Sequence, residues 1–262
     1  MAVAQPVVGQ VASESFEVRR ISSSDVRESL AQGWDDFLSK RGDLIFIGIL
    51  YPLIGLFAAI VAMQGPWLPL FMPVAAGISL LGPIAAIGFY ELARRREQGL
   101  ESDWSHFFDV RKRPAWESII AVASVLIVVF AAWVAVAGML YTLLIGTAPE
   151  SVRGFLATVF TTPEGWALII VGNLIGLCFA ALVLTISVVS MPLLVDHDVD
   201  ARTAIDTSVK AVMANKAMMM LWGLAVAALL VIGSIPAFLG LAVVLPVLGY
   251  ATWHLYRHLV IS

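Results

Sequence analysis

The chain has 262 residues, a formal net charge of −3, 60% hydrophobic and only 13% charged residues, and a mean hydropathy of +0.91. Globular domains run at roughly 45–50% apolar and about 25% charged, so a soluble chain of this composition would lack polar surface to cover itself; lipid is expected to be part of its solvent. The pI near 5.8 gives no reason to invoke nucleic acid, and the single Cys178, set in an apolar run, excludes a disulfide framework.

Residues 1–15 read as a flexible tail, and residues 16–262 as one transmembrane domain. The first 43 residues hold no basic start followed by an apolar core and a small-residue cleavage site, so no cleavable leader is expected. An amphipathic helix comes next, with Val26, Leu30, Trp34 and Phe37 as its apolar stripe and charges between them. Asp25 is expected to cap it, with Glu28 as capping-box partner, after Ser22, Ser23 and Ser24. Residues 44–63 (LIFIGILYPLIGLFAAIVAM) then supply the roughly 20 apolar residues that a helical span needs. The short turn Gln64-Gly65-Pro66 leads back into a second span, from about residue 67 to 93.

A basic connection follows, ELARRREQGLESDWSHFFDVRKRP, in which Arg94, Arg95 and Arg96, then Arg111, Lys112 and Arg113, bracket an acidic, aromatic stretch. The third span covers residues 118–141. Residues 149–160 form a surface amphipathic helix with Val152, Phe155, Leu156, Val159 and Phe160 on its apolar face. Thr162, Pro163 and Glu164 then open a long fourth span, 166–194, as N-cap, first helical residue and acidic first turn. The run from 218 to 259 is too long for one crossing and is divided near residues 236–240 into spans five and six.

The distribution of Lys and Arg tests this division. With six spans, every Lys and Arg except Arg153 falls on one side, which makes that side and both termini cytoplasmic. Trp67, Tyr141 and Trp166 at the outer ends, and Trp104, Trp116, Trp222 and Trp253 at the inner ends, fit interfacial belts. The expected fold is therefore an all-α polytopic membrane protein with six transmembrane helices.

The segments before spans one, three and five resemble one another. GWDDFLSKRGD and DWSHFFDVRKR match Trp34 with Trp104, Phe37 with Phe107 and Arg41 with Arg111; SVKAVMANK places Val209, Val212 and Lys216 at the same positions. Ile205 extends that third stripe. Each segment reads as an interfacial helix followed by a transmembrane hairpin, whose second span carries one proline, Pro83, Pro192 or Pro246, a candidate kink.

Chemistry is scarce. No ionisable residue lies near the middle of any span, which weighs against a proton-coupled pump. Asn173, within Gly172-Asn173-Leu174-Ile175-Gly176, reads as an interhelical hydrogen bonder in a close-packing G-x-x-x-G motif. His254 and His258, four apart, read as helix-end residues rather than haem or metal ligands. Asp196-His197-Asp198-Val199-Asp200 fails as a calcium loop, because Ala201 and Thr207 replace its Gly and Glu, and reads as a turn with Asp198 or Asp200 capping the next helix. No catalytic triad, H-E-x-x-H, Walker loop or dinucleotide fingerprint appears, so no catalytic site, cofactor or metal is expected.

EVRRISSSDVRESLAQGWDDF, LGPIAAIGFYELARRREQG, VFTTPEGWALIIVGNLIG and LAVVLPVLGYATWHLYRHLV together resemble, across residues 16–260, a family of bacterial integral membrane proteins of unknown function. Some of its members carry a cytochrome c oxidase subunit label. The resemblance implies location and fold and no catalytic residues. A haem–copper catalytic subunit needs several histidines inside its spans, so the label leaves room only for an accessory component. The expected role is an accessory, assembly or scaffold protein of the bacterial inner membrane. It would contact anionic phospholipid through the six clustered cations, and other membrane proteins such as respiratory complexes. A small permease or lipid-handling protein is the other reading.

Overall fold

The computed structural model describes residues 16–39, 53, 68–146, 151–236 and 238–261. The expected tail, the first span apart from Leu53, and the first turn lie outside the described residues. Strand β1 (Glu17–Val18) is followed by α1 (Ser23–Ser39). A 3-10 turn, Leu68–Leu70, leads to α2 (Phe71–Ile78), a second 3-10 turn and α3 (Gly82–Glu97). A 3-10 helix (Trp104–Lys112) precedes α4 (Trp116–Leu144) and α5 (Val152–Thr161). Then come α6 (Pro163–Ser187), α7 (Ser190–Asp196), α8 (Ala201–Ala214), α9 (Lys216–Ser234), α10 (Leu241–Leu259) and β2 (Val260–Ile261).

Helix boundaries follow local chemistry. Thr162 Oγ1 accepts from the Gly165 N–H with Pro163 at the first helical position, as the sequence predicts, and of the two candidates Asp198 and Asp200 it is Asp200 that caps α8, accepting from the Thr203 N–H. Ser151 caps α5 in the same way. The cap of α1 differs from expectation by three residues. Ser22 leads the helix, and Asp25 Oδ2 reaches back to the Ser22 N–H at 2.7 Å, while Glu28 instead accepts from Gln32. That segment contains two overlapping cap patterns, and the hydroxyl one forms.

Three described helices are long and apolar enough to cross a bilayer: α4, the α6–α7 rod and α9. The predicted second span is interrupted by the 3-10 turn at Ser79–Leu81, immediately before Pro83 in the first turn of α3. The missing N–H costs nothing at that position. Pro192 lies in α7, just past the break at Val188 and Val189, and Pro246 sits inside the otherwise continuous α10.

Most of the core lies at one end, called here the capped end, where α1, the 3-10 helix and α8 lie across the helix termini. Phe89, Leu92, Met191, Leu193, Leu194, Trp222, Trp253 and Tyr256 are closed off there. Helices α3, α7 and α10 touch one another at its centre. Each covering element packs on one of these helices through a small residue. Gly33 of α1 meets the Ala251 backbone of α10 so closely that an added Cβ would lie 2.6 Å away, and Gly88 of α3 meets the Phe107 ring so closely that an added Cβ would lie 2.4 Å from it. Ser208 of α8 serves the α6–α7 break, accepting from the Val189 N–H and donating to the Thr185 carbonyl at 2.8 Å.

The covering elements do not present the faces the bulky stripes imply. In α1 the buried face is Val26, Ser29, Gly33, Asp36 and Phe37, with Leu30 partly buried and Trp34 exposed. In α8 it is Ala204, Thr207, Ser208 and Ala211, with Val212 at its edge, while Ile205 and Val209 are half-exposed. The middle segment is 3-10 instead of α. Residues three apart eclipse in that geometry, which stacks His106, Asp109 and Lys112 in one row; Phe107 is buried, and Trp104, at the start of the helix, is exposed.

The chain closes on itself at this end. Glu17 pairs with Ile261 and Val18 with Val260, antiparallel. Buried Asn215, at the α8–α9 junction, accepts from the Ile21 N–H and donates to the Arg19 and Ala211 carbonyls.

Candidate functional site: a charge node at the capped end

The polar groups converge where α3, α7 and α10 meet. Residues 87–94 of α3 are buried without interruption, so Glu91 cannot reach water. It is 1% exposed, and Arg94, one turn along, is 8% exposed. The two form a bidentate pair, Arg94 Nε to Glu91 Oε2 at 2.9 Å and Nη2 to Oε1 at 2.7 Å, and Arg94 Nη1 donates to Gln98. A buried ion pair repays its desolvation only with this quality of geometry.

Asp196, at the end of α7, joins three segments. Its Oδ2 accepts from Tyr256 Oη at 2.9 Å and Arg257 Nη1 at 3.1 Å, and its carbonyl accepts from Arg113 Nη2. Arg257 Nε continues to Glu97 of α3. Burial, with Arg94 close by, lowers the proton affinity of the Arg113 guanidinium. Asp36 does for α1 what Asp196 does for α7. It bonds His254 Nε2 at 2.8 Å and Arg96 Nη1 at 3.1 Å, and Arg96 also donates to Ser39 Oγ.

The six clustered cations therefore divide. Arg94 and Arg113 turn into the protein, and Arg96, itself exposed, reaches back to Asp36 of α1. Arg95 is drawn to Asp109 and the Glu101 carbonyl. Lys112 is exposed, with its Nζ 2.6 Å from Asp109 Oδ1, and Arg111 lies over the Phe108 ring at 5.3 Å. Hydrogen bonds from Lys112 and His106 pull the Asp109 carboxyl down to about 2.

The histidines four apart serve different partners: His254 meets Asp36, and His258 Nδ1 lies 3.3 Å from Arg19 Nη2 and 3.8 Å from Asp25 Oδ1. Asp25, Glu28 and His258 bring possible ligand atoms within 4.8 Å of one another. Arg19, 4.0 Å from Asp25, already balances that charge. In the Asp-His-Asp-Val-Asp stretch, Asp196 enters the node, His197 stacks edge-on against Phe16, and Asp200 caps α8. Among the described residues, three buried atoms lack a hydrogen-bond partner: Arg113 Nε, His197 Nε2 and Trp253 Nε1.

Away from the node, Gly172 and Gly176 of α6 face Leu140 and Trp133 of α4. Asn173 points off that contact, exposed, and its Nδ2 donates to Ile169 of its own helix. The expected interhelical bond is therefore not made within the described residues.

Sequence reading missed Glu91, Asp36, Asp196 and Tyr256 as a set. Glu91 had a usable signal, an acid three residues before an Arg at the end of an apolar run. The Asp196–Arg257 and Asp36–His254 pairs join residues far apart in the chain and have no local signature.

No curated protein and no solved structure matches this chain. A family match runs from α2 to the end of α7, covering the basic connection, the Glu91–Arg94 pair and Asn173 but neither terminal stretch. Residues 71–196 match the family described as Predicted integral membrane protein (DUF2189).

Proposed function

We propose that the chain is a non-enzymatic, multi-pass protein of a bacterial inner membrane, an accessory, assembly or scaffold component that contacts other membrane proteins and anionic lipid. The observation that carries this reading is the use made of the charged node. Its acids and bases bind one another and fasten α1, α7 and α10 to α3, while α4, α6 and α9 turn large apolar side chains outward. The permease reading needs a path among the proline-bearing helices. Gly249 of α10 instead lies so near Phe89 of α3 that an added Cβ would be 2.7 Å away. That closure favours packing over passage.

Six spans with both termini cytoplasmic fit the charge separation, which puts the capped end in the cytoplasm. The decisive experiment is reconstitution of the purified protein alone in sealed vesicles. No solute flux or turnover is expected, and copurification from native membranes in mild detergent should recover membrane proteins with it. Flux or turnover by the isolated chain would overturn the proposal.

Anionic lipid is met at Arg111 and Lys112, exposed cations that no buried acid holds. Charges of this kind near an anionic leaflet gain roughly 1 kcal/mol each. Arg111→Gln/Lys112→Gln should lower phosphatidylglycerol enrichment around the purified protein; unchanged enrichment would remove this contact from the proposal.

A further inference from the structure

We infer that the protein forms a symmetric homodimer through the outward face of α6, with Asn173 hydrogen-bonded to the partner's Asn173. Trp166, Ile170, Asn173, Leu177 and Ala180 follow one another along α6 at spacings of four, three, four and three. This is the heptad seam of two helices that supercoil about each other. Trp166, Ile170 and Leu177 are 51%, 57% and 65% exposed, and Asn173 and Ala180 are exposed with them. Among the described residues α6 meets α4 through Gly172, Gly176 and Phe179, on another side of the helix, and of this face only Trp166 makes a side-chain hydrogen bond outside α6, from Nε1 to the Phe160 carbonyl at 3.1 Å.

Lipid suits the apolar members of this seam but not Asn173. That residue lies ten positions into α6, about 15 Å along the axis, near the middle of a hydrocarbon core about 30 Å thick. Its bond to the Ile169 carbonyl, 2.8 Å, uses one amide hydrogen. The second amide hydrogen and Oδ1 have no partner among the described residues. Hydrocarbon offers neither a donor nor an acceptor.

A second copy supplies both. Copies of one membrane protein share an orientation, so a twofold axis between them runs along the membrane normal. Helix α6 then meets its counterpart in parallel, each residue at the depth of its equivalent. A carboxamide is self-complementary, one N–H and one C=O, so two asparagines facing across the axis satisfy each other. An unrelated helix would need its own amide at that depth and angle. A single Asn within an apolar heptad seam is also the arrangement that fixes register and pair formation. The inference stands whether or not the scaffold reading holds.

The test uses the full chain in phosphatidylcholine–phosphatidylglycerol vesicles. Leu177→Cys/Cys178→Ser places the only thiol on the seam. Leu174→Cys/Cys178→Ser places it on a residue that is 59% exposed but about 100° round the helix from Asn173. Oxidation should link the first into dimers and leave the second monomeric. Independently, Asn173→Leu should weaken association about three- to twentyfold in a fluorescence dilution series, the range of one interhelical hydrogen bond in lipid. Monomers at every protein density, as expected if lipid or another part of the chain covers the face, would overturn the inference. So would equal linking at both positions, or unchanged association of Asn173→Leu.

Discussion

The two ends of this molecule use the same apolar composition in opposite ways. At the capped end Phe89, Leu193 and Trp253 are sealed inside protein, and charged residues are held among them as bonded pairs. Further along the same bundle Val128, Leu143 and Leu224 stand outward, with little polar chemistry around them. Hydrophobic residues are thus spent on an interior at one end and on a lipid-facing surface at the other. The first arrangement is sensitive to shape and pairing. The second requires mainly apolar character. The difference between the ends can be tested by asking what each tolerates.

The largest effect is expected at Glu91. Glu91→Gln leaves the Arg94 guanidinium buried with its charge unmatched, a change that typically costs about 3–5 kcal/mol. Thermal unfolding in mild detergent should shift strongly. The double change Glu91→Met/Arg94→Met should recover much of the loss, because no buried charge is then left over. Leu143→Ala, at the other end, should shift unfolding little. Comparable shifts for Glu91→Gln and Leu143→Ala would mean that the two ends are not distinct in the way described.

Shape comes second. Gly88→Val would drive a side chain into the Phe107 ring, where even a Cβ would lie 2.4 Å away. Overpacking of this kind costs about 1–3 kcal/mol. The 3-10 helix should lift from α3, read as faster hydrogen exchange across residues 104–112. Gly82→Ala is the matched control on the same helix, with nothing within 4 Å of the added Cβ. Equal exchange in the two variants would show that Gly88 does not hold the segment.

These residues also mark what a sequence discloses. Caps at Thr162 and Asp200 are readable because donor and acceptor lie three residues apart. The class of the fold follows from long apolar runs, whose meaning in a bilayer is a matter of length and backbone hydrogen bonding. Faces are harder. Bulk marks a residue as shunning water without saying whether protein or lipid receives it, so the stripe Ile205, Val209 and Val212 is conspicuous while Ala204, Ser208 and Ala211 make the close contact. The 3-10 segment is ambiguous for a related reason, since a W-x-x-F spacing suits a period of 3.0 as well as 3.6. The basic triplets conceal their division because neighbouring arginines point to different sides of a helix, and their partners Asp36 and Asp196 are distant in the chain.

The smallest predicted effect concerns the exposed row on the 3-10 helix, where the capped end meets water. Asp109 accepts from Lys112 Nζ at 2.6 Å and His106 Nδ1 at 2.8 Å, and both contacts favour the carboxylate. Its folded value of about 2 lies below the ordinary 3.8. The unfolded chain therefore binds this proton first as pH falls, and stability drains away with it. The contribution is complete above about pH 4 and disappears as pH drops through 2. Asp25 and Asp200, lowered by hydrogen bonds from Ser22 and Thr203, add to the same acid loss. The informative quantity is thus the difference between the native chain and Asp109→Asn. In acid titrations followed by tryptophan fluorescence, the native chain should lose its advantage over that variant between pH 4 and 2. Parallel curves across this window would show that the row contributes nothing to holding the cap in place.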